Sequence, residues 1–463
     1  MISTFTMRRS ALALAVLTLS GCSFIPTYER PAAPVAAEWS GVTPVAAATP
    51  AAEVAWADFV SDARLRELIG LAIKNNRDLR VATLNIEQVR AQYQIRRADQ
   101  FPTMNLAATG SRQSNADDSI TSLYTAGLAM SGWEIDFFGR IASLKEVALA
   151  QYLASEEARN AAQTSLVASV TSTWLSLQAS DELLALTRRA FATRQDSLRL
   201  TRLRFDNGVT SALDLRQAES LTAAAESALA QQQRQRALDL NALTLLVGQP
   251  LPAGLVDLAR DAVTTTQPLF RDLPAGLPSD LLTRRADIRQ AEQTLIAANA
   301  NIGAARAAFF PRISLTASVG SASSELSGLF KDGSWGFSLA PQALLPIFDA
   351  GRNRAGLESA KVGRELAVAQ YEKAIQTAFR EVADALAGRA TLGEQLRAQQ
   401  AQATAEAERF RLAELRYRNG VASFLEVLDA QRSLFATQQT LVQTRLVQQQ
   451  NQVALYKALG GGY

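Results

Sequence analysis

Histidine is absent from all 463 residues, cysteine occurs once, at Cys22, and there are only four methionines. Zinc, haem and most transition-metal sites thereby lose their usual ligands, and catalytic triads and dyads built on histidine are excluded. A single cysteine can make no internal disulfide. Neither an enzyme nor a cofactor is indicated. A surplus of one charge is missing too: 47 basic residues stand against 44 acidic ones, and without Arg8 and Arg9 the balance is 45 to 44. No basic field marks a partner nucleic acid. Beyond the first 21 residues, no run is apolar enough for a transmembrane helix.

What is present begins with a leader. Arg8 and Arg9 form a short positive region, Ala11 to Leu19 an apolar core, and Ser20-Gly21 a small-residue processing site. The core is too short to span a bilayer, which takes about 20 residues; the competing reading is a buried N-terminal helix. Leu-Ser-Gly-Cys resembles the bacterial lipobox, in which the cysteine becomes the first mature residue and carries lipid on its sulfur and amine. Each buried methylene of an acyl chain contributes about 0.8 kcal/mol, and two or more chains anchor stably where one does not. Cleavage elsewhere, leaving Cys22 as a free thiol, is the alternative. Ser23 follows, where an aspartate would resemble signals for inner-membrane retention, so the resemblance points to the outer membrane.

The chain is written twice. The stretch RLRFDNGVTSALDLRQA (Arg202 to Ala218) recurs as ELRYRNGVASFLEVLDA (Glu414 to Ala430), which sets Asn207-Gly208 against Asn419-Gly420 at an offset of 212. DFFGR, ending at Arg140, aligns with FDAGR, ending at Arg352, at the same offset. RRADQFPTMNL (Arg96 to Leu106) pairs with ARAAFFPRISL (Ala305 to Leu315). So long a repeat implies a duplicated half rather than a many-unit solenoid. Gly139 to Asn207 and Gly351 to Asn419 contain no proline and are rich in Ala, Leu, Gln, Glu and Arg. Each predicts a helix of roughly 100 Å, which calls for coiled-coil-like packing or a tall helical tube. Asn-Gly then suits a tight turn or a left-handed helix end, and a second helix of about 40 residues runs back.

Between helices, each half carries two short alternating runs. Met104, Leu106 and Ala108 oppose Thr103, Asn105, Thr109 and Ser111; Tyr124, Ala126, Leu128 and Met130 oppose Thr125, Gly127 and Ser131. In the second half Ile313, Leu315, Ala317 and Val319 oppose Ser314, Thr316 and Ser318, and Trp335, Phe337 and Leu339 oppose Gly336, Ser338 and Gln342. Such alternation fits membrane barrel strands and, equally, soluble hairpins packed on a helix. Pro341 fits a strand end or an edge. Four strands cannot close a barrel, and open edges are costly in hydrocarbon. Strands that span a membrane would therefore have to be shared among several chains.

Nearly the whole mature chain resembles TolC-type outer-membrane efflux channels, particularly the lipoprotein (NodT-like) subunits of RND-type tripartite drug-efflux pumps. The phrases that carry the likeness are WEIDFFGR (133–140), RFDNGVTSALDLRQAE (204–219), LLTRRADIRQAE (281–292), ARAAFFPRISL (305–315), PIFDAGR (346–352) and YRNGVASFLEVLDAQRSL (417–434). Ala286 stands where the family usually has proline, which alters a helix start. The resemblance implies a mainly α protein with a transmembrane β part, assembled as a homotrimer. Its twelve-stranded barrel would continue into a twelve-helix periplasmic tube. The implied partners are outer-membrane lipid, a periplasmic adaptor and an inner-membrane RND-type transporter, with drugs or other small molecules passing through. The expected order is a signal peptide (1–21), an N-terminal extended segment (22–60), a periplasmic helix (61–101), strands 1–2 (102–138) and a long hairpin (139–248). An equatorial connector (249–280), a periplasmic helix (281–311), strands 3–4 (312–350) and a second hairpin with the C-terminal end (351–463) complete it.

The resemblance also implies a periplasmic gate at the helical tips, with its aspartate and arginine falling on Asp429 and Arg432. Glu426 lies three residues before Asp429, and Leu425 would add an apolar collar. The first-half positions equivalent to Glu426, Asp429 and Arg432 are Asp214, Gln217 and Ser220, so only the second half carries the acidic pair and its arginine. The other reading is a solvated helix face with weak ion pairs. Asn207, Gly208, Val209, Asn419, Gly420 and Val421 are the candidate adaptor contacts, or plain turn chemistry. A lipid-anchored structural coiled-coil protein of the envelope is the competing function; it leaves the four alternating runs unexplained.

Overall fold

A computed structural model describes residues 23–36, 53–256, 268–273 and 278–462. Cys22, the leader and the connector residues 257–267 and 274–277 lie outside the described residues. The main elements are α1 (Ala63–Asn75), α2 (Arg77–Ala98), β1 (Met104–Ser114), β2 (Ile120–Glu134), α3 (Arg140–Asp206), α4 (Ala212–Val247), α5 (Ala286–Ala307), β3 (Arg312–Ser323), β4 (Trp335–Leu344), α6 (Arg352–Arg418) and α7 (Phe424–Ala458). Helices α3 and α6 have 67 residues each. No described helix is apolar enough to cross a membrane.

The chain divides into two compact units. The first holds residues 23–33, 84–157 and 290–373; the second holds 34–36 and the described parts of 53–83, 158–289 and 374–462. In the first unit the two hairpins join into one antiparallel sheet of order β1-β2-β3-β4. Pairing puts Leu106 opposite Leu128, Leu128 opposite Val319 and Val319 opposite Phe337. Directly paired residues share a face, so the apolar sets of all four strands form one continuous surface. Much of it is bare: Leu106 is 84%, Phe337 85% and Trp335 70% exposed, while Met130 is buried. On the other face Ala107, Gly127, Gly320 and Gly336 fall in one row, and the Thr109 and Thr125 hydroxyls share a hydrogen bond of 2.6 Å. Pro341, opposite Leu315, lies inside β4, the strand whose outer side meets no described strand of this chain.

The strands outrun their alternating cores. β1 and β2 extend through Gln113, Ser114, Thr121 and Ser122, polar positions that carry no inside–outside pattern. Hairpin chemistry orders them instead: the Asn115 amide donates to the Ser119 and Thr121 hydroxyls at 2.9 and 2.8 Å. A register shift between Met130 and Trp133 marks a bulge at Gly132, φ 62°.

Two motifs far apart in the sequence meet at the base of the sheet. Glu134 of WEIDFFGR is 9% exposed and accepts two hydrogen bonds from Arg140, at 2.8 and 2.7 Å, while Arg312 pairs with it at 2.6 Å. One carboxylate thus ties the end of β2 to the start of α3 and the start of β3. The carboxylates of DFFGR and FDAGR cap the long helices: Asp136 accepts from the Ala142 amide at 2.7 Å and Asp349 from the Asn353 amide at 2.9 Å.

The N-terminal segment lies extended along α5. Phe24 stacks on Phe310, itself stacked on Phe138, with centroids 4.6 and 4.9 Å apart. Arg306 donates to the Phe24 carbonyl at 3.1 Å and Asn299 to that of Pro26 at 2.7 Å. Arg30 grips Glu292 with two hydrogen bonds of 2.7 and 2.9 Å. At Gly303 a Cβ would sit 2.6 Å from the Ile25 side chain and 2.9 Å from its backbone nitrogen, so this glycine is the notch that admits the strap.

In the second unit Phe59 stacks between Phe270 and Tyr456, at 5.0 and 4.2 Å. Leu65, Leu68, Ile69 and Ala72 bury the inner face of α1, and Trp174 is fully buried in α3. Ala286 is the first residue of α5, a position where proline's missing N–H costs nothing. Order at this helix start comes from Arg285, which donates to Asp287 at 2.9 and 2.7 Å, to Glu381 at 2.8 Å and to the Ala458 carbonyl at 2.9 Å.

Candidate gate and helical tips

Both Asn-Gly pairs close their helices in the same way. The Val209 amide donates to the Arg204 carbonyl at 2.8 Å and the Gly208 amide to that of Phe205 at 2.9 Å. In the second half Val421 bonds Arg416 at 2.9 Å and Gly420 bonds Tyr417 at 3.0 Å. This is the paired hydrogen-bond pattern of a left-handed helix terminus, with φ of 71° at Gly208 and 74° at Gly420. The Asn207 and Asn419 amides add a bond each, to the carbonyls of Leu203 (2.6 Å) and Leu415 (2.8 Å). Turn chemistry therefore accounts for the asparagines and glycines. It leaves Val209 and Val421 over, 74% and 68% exposed.

The two halves start their return helices differently. Ser211 and Asp214 form a capping box, with the Asp214 amide donating to the Ser211 hydroxyl at 3.1 Å. Hydrogen bonds from Ser211 and Thr210 hold the Asp214 carboxyl below its ordinary range. Ser423 makes no such cap. Glu426, at the position equivalent to Asp214, reaches instead toward Arg416 at 3.7 Å.

An open cleft of about 220 Å³ lies between α4 and α7, lined by Gln217, Ser220 and Leu221 on one side and Leu425, Leu428, Asp429 and Arg432 on the other. Duplicated positions thus face each other: Gln217 and Ser220 look onto their counterparts Asp429 and Arg432. Asp429 accepts from Arg432 at 2.6 Å, and equally at 2.6 Å from Arg409 of α6. The Asp429 carboxyl is held below its usual range, chiefly by the Arg409 hydrogen bond and further by Arg432. Leu425 lies on the cleft, 56% exposed, whereas Glu426 is not brought into this cluster.

The structure adds groups that the sequence reading did not select. Arg409 is paired locally with Glu406 at 3.2 Å, so its spacing suggests an ordinary surface pair. Arg204 lies over the Tyr417 ring at 5.2 Å and donates to its hydroxyl, and Tyr417 meets Phe424 at 5.2 Å. Tyr417 belongs to a quoted motif, but nothing local to it indicates a partner more than 200 residues away.

The model of the family described as "Outer membrane efflux protein" matches residues 68–249 and 277–461. A probable efflux pump outer membrane protein, TtgC of Pseudomonas putida, is 48% identical over 470 residues, covering 99% of this chain and 96% of its own. Outer membrane protein OprJ of Pseudomonas aeruginosa is 46% identical, covering 98% and 95%. Among solved structures, the open state of the MtrE outer membrane channel of Neisseria gonorrhoeae superposes with a TM-score of 0.85 at 40% identity, covering 95% of this chain and 98% of that one.

Proposed function

Because this chain belongs to the outer membrane efflux protein family, we propose that three copies close one twelve-stranded barrel and continue it as a tube of twelve helices. The chain is an outer-membrane efflux channel and not an enzyme, which decides against the structural coiled-coil reading. One observation carries the shared barrel. A four-stranded sheet with a largely bare apolar face ends in two edges, β1 and β4, neither paired with a further described strand. Unpaired backbone groups in hydrocarbon cost several kcal/mol each, and strands of 10 to 15 residues are long enough to cross the bilayer core. Identical copies pairing β4 with β1 satisfy both edges and put the face that carries Thr109 and Thr125 on the lumen. Expression in a host lacking its own efflux channel, beside the matching pump components, is expected to restore drug resistance. An outer-membrane chain that restores none contradicts the reading.

In this assembly a periplasmic adaptor and an inner-membrane RND-type transporter feed drugs or other small molecules into the tube. Asp429 and Arg432, with Arg409 as a third member, form the gate, and Leu425 contributes its collar. Val209 and Val421 meet the adaptor. A photo-crosslinker at either valine is expected to capture a co-expressed adaptor; reaction only with reagents added outside the cell contradicts the placement. Cys22 carries the covalent lipid. Cells fed an alkyne-tagged palmitate should label the parent chain and not Cys22→Ser, and equal labelling of both removes the assignment.

A further inference from the structure

Arg194 of α3 is buried, 7% exposed, at a junction of three helices behind the cleft. Its Nη1 donates to the Leu221 carbonyl of α4 at 3.2 Å, and the Thr222 hydroxyl of α4, whose shorter hydrogen bond goes to the Ala218 carbonyl at 2.8 Å, also reaches the Arg194 carbonyl at 3.3 Å. The guanidinium lies over the Phe435 ring of α7, 5.4 Å from its centroid. Its Nε is buried without a partner among the described residues. Leu221 lines the cleft, and Phe435 follows Arg432, another lining residue, by three positions, one turn of α7. Both walls of the cleft are therefore held from behind by one side chain.

An aliphatic side chain of similar length would fill this space without desolvating a charge. The cation is useful only through its directed contacts: one carbonyl on α4 and one ring face on α7. If α7 shifts away, the ring contact is lost and water reaches the guanidinium, so the displaced arrangement gains hydration for what it gives up in packing. Such a contact favours two discrete separations of α4 and α7 over a continuum. The duplicated position is Glu406, which belongs to the Arg409–Asp429 cluster. The two copies of one ancestral position thus serve the same cleft with opposite charge.

We propose that Arg194 is a positioning residue of the gate, a brace that sets the separation of α4 and α7 across the Gln217–Asp429 cleft. The name "gate" rests on the functional reading above; the brace itself does not. The test is a chain carrying Gln217→Cys and Leu425→Cys, treated as the detergent-extracted assembly with a short bismaleimide. The intrachain link is read by peptide mass spectrometry, with the chain bearing only Cys22 as control. Arg194→Met is expected to change the yield of that link several-fold, and Phe435→Leu, which leaves the arginine and its carbonyl bond in place, to change it in the same direction. Should Arg194→Met fail to assemble, Phe435→Leu alone decides. Parental yield in every variant that assembles overturns the proposal. A changed yield with unchanged single-channel conductance upholds the brace and counts instead against the cleft as the gate.

Discussion

Asp429→Asn is expected to raise single-channel conductance in planar bilayers several-fold while leaving the assembly as heat-resistant as the parent. The carboxylate holds two guanidinium groups at 2.6 Å each, Arg409 from α6 and Arg432 from its own helix. Without it, two like charges face one another and repel, and the tie between α6 and α7 is lost. Exposed ion pairs contribute little to stability, so the effect separates from folding. Arg432→Ala removes only the pair within α7 and keeps the tie to α6, so its increase is smaller, whereas Arg409→Ala loses the tie between α6 and α7 and approaches Asp429→Asn. Acid has the same effect as Asp429→Asn, but late. A carboxyl held below its ordinary value keeps its clamp through the usual carboxylate range and loses it only as pH falls through the lowered value. Parent conductance should therefore be flat from neutrality down to about pH 4, the ordinary aspartate value, and rise only below it. Unchanged conductance in both Asp429→Asn and Arg432→Ala removes the cluster from the gate.

Gly127→Val is expected to abolish outer-membrane assembly altogether. A Cβ at Gly127 would lie 2.3 Å from the Val319 carbonyl oxygen and 2.5 Å from the Gly320 Cα, and one at Gly320 would lie 2.3 Å from the Ala126 carbonyl oxygen. These obstacles are backbone, which cannot rotate aside as a side chain can. The seam they guard joins β2 to β3, the only pairing among the described strands of one chain that links a hairpin of the first half to one of the second. Forcing it open turns one sheet with two edges into two hairpins with four, and each added edge brings unpaired backbone groups into lipid. Gly336 stands in the same row, yet a Cβ there meets nothing within 4 Å. Within the chain, Gly336→Val should therefore leave the seam between β2 and β3 closed. A parental outer-membrane yield for Gly127→Val would show that the seam tolerates a side chain.

The periodic and the local were legible in the sequence. Leu106, Leu128, Val319 and Phe337 lie on one face because strand alternation is a local property of each strand, and the two Asn-Gly termini follow from glycine's access to positive φ. The repeat marked both long helices and the DFFGR and FDAGR phrases before them. Contacts that depend on how distant elements meet were not legible. Arg409 reaches Asp429 across a helical hairpin, Glu134 reaches Arg312 across 178 positions, and Arg194 finds Phe435 at still greater separation; no spacing rule encodes these meetings. The Gly127–Gly320 seam was hidden for the same reason, since either glycine alone reads as a small residue on a polar face. Glu426 shows the converse: helical spacing placed it beside Asp429, but the absence of a Ser423 cap and the proximity of Arg416 take it elsewhere.

The proposition beneath all of this is that one chain supplies a third of a membrane wall. Light scattering of the detergent-extracted protein, corrected for bound detergent, measures that directly when paired with gel migration before and after boiling. The account predicts a protein mass of three chains that collapses to one on heating. A mature chain, freed of leader and lipid, that stays monomeric and soluble without detergent would contradict it.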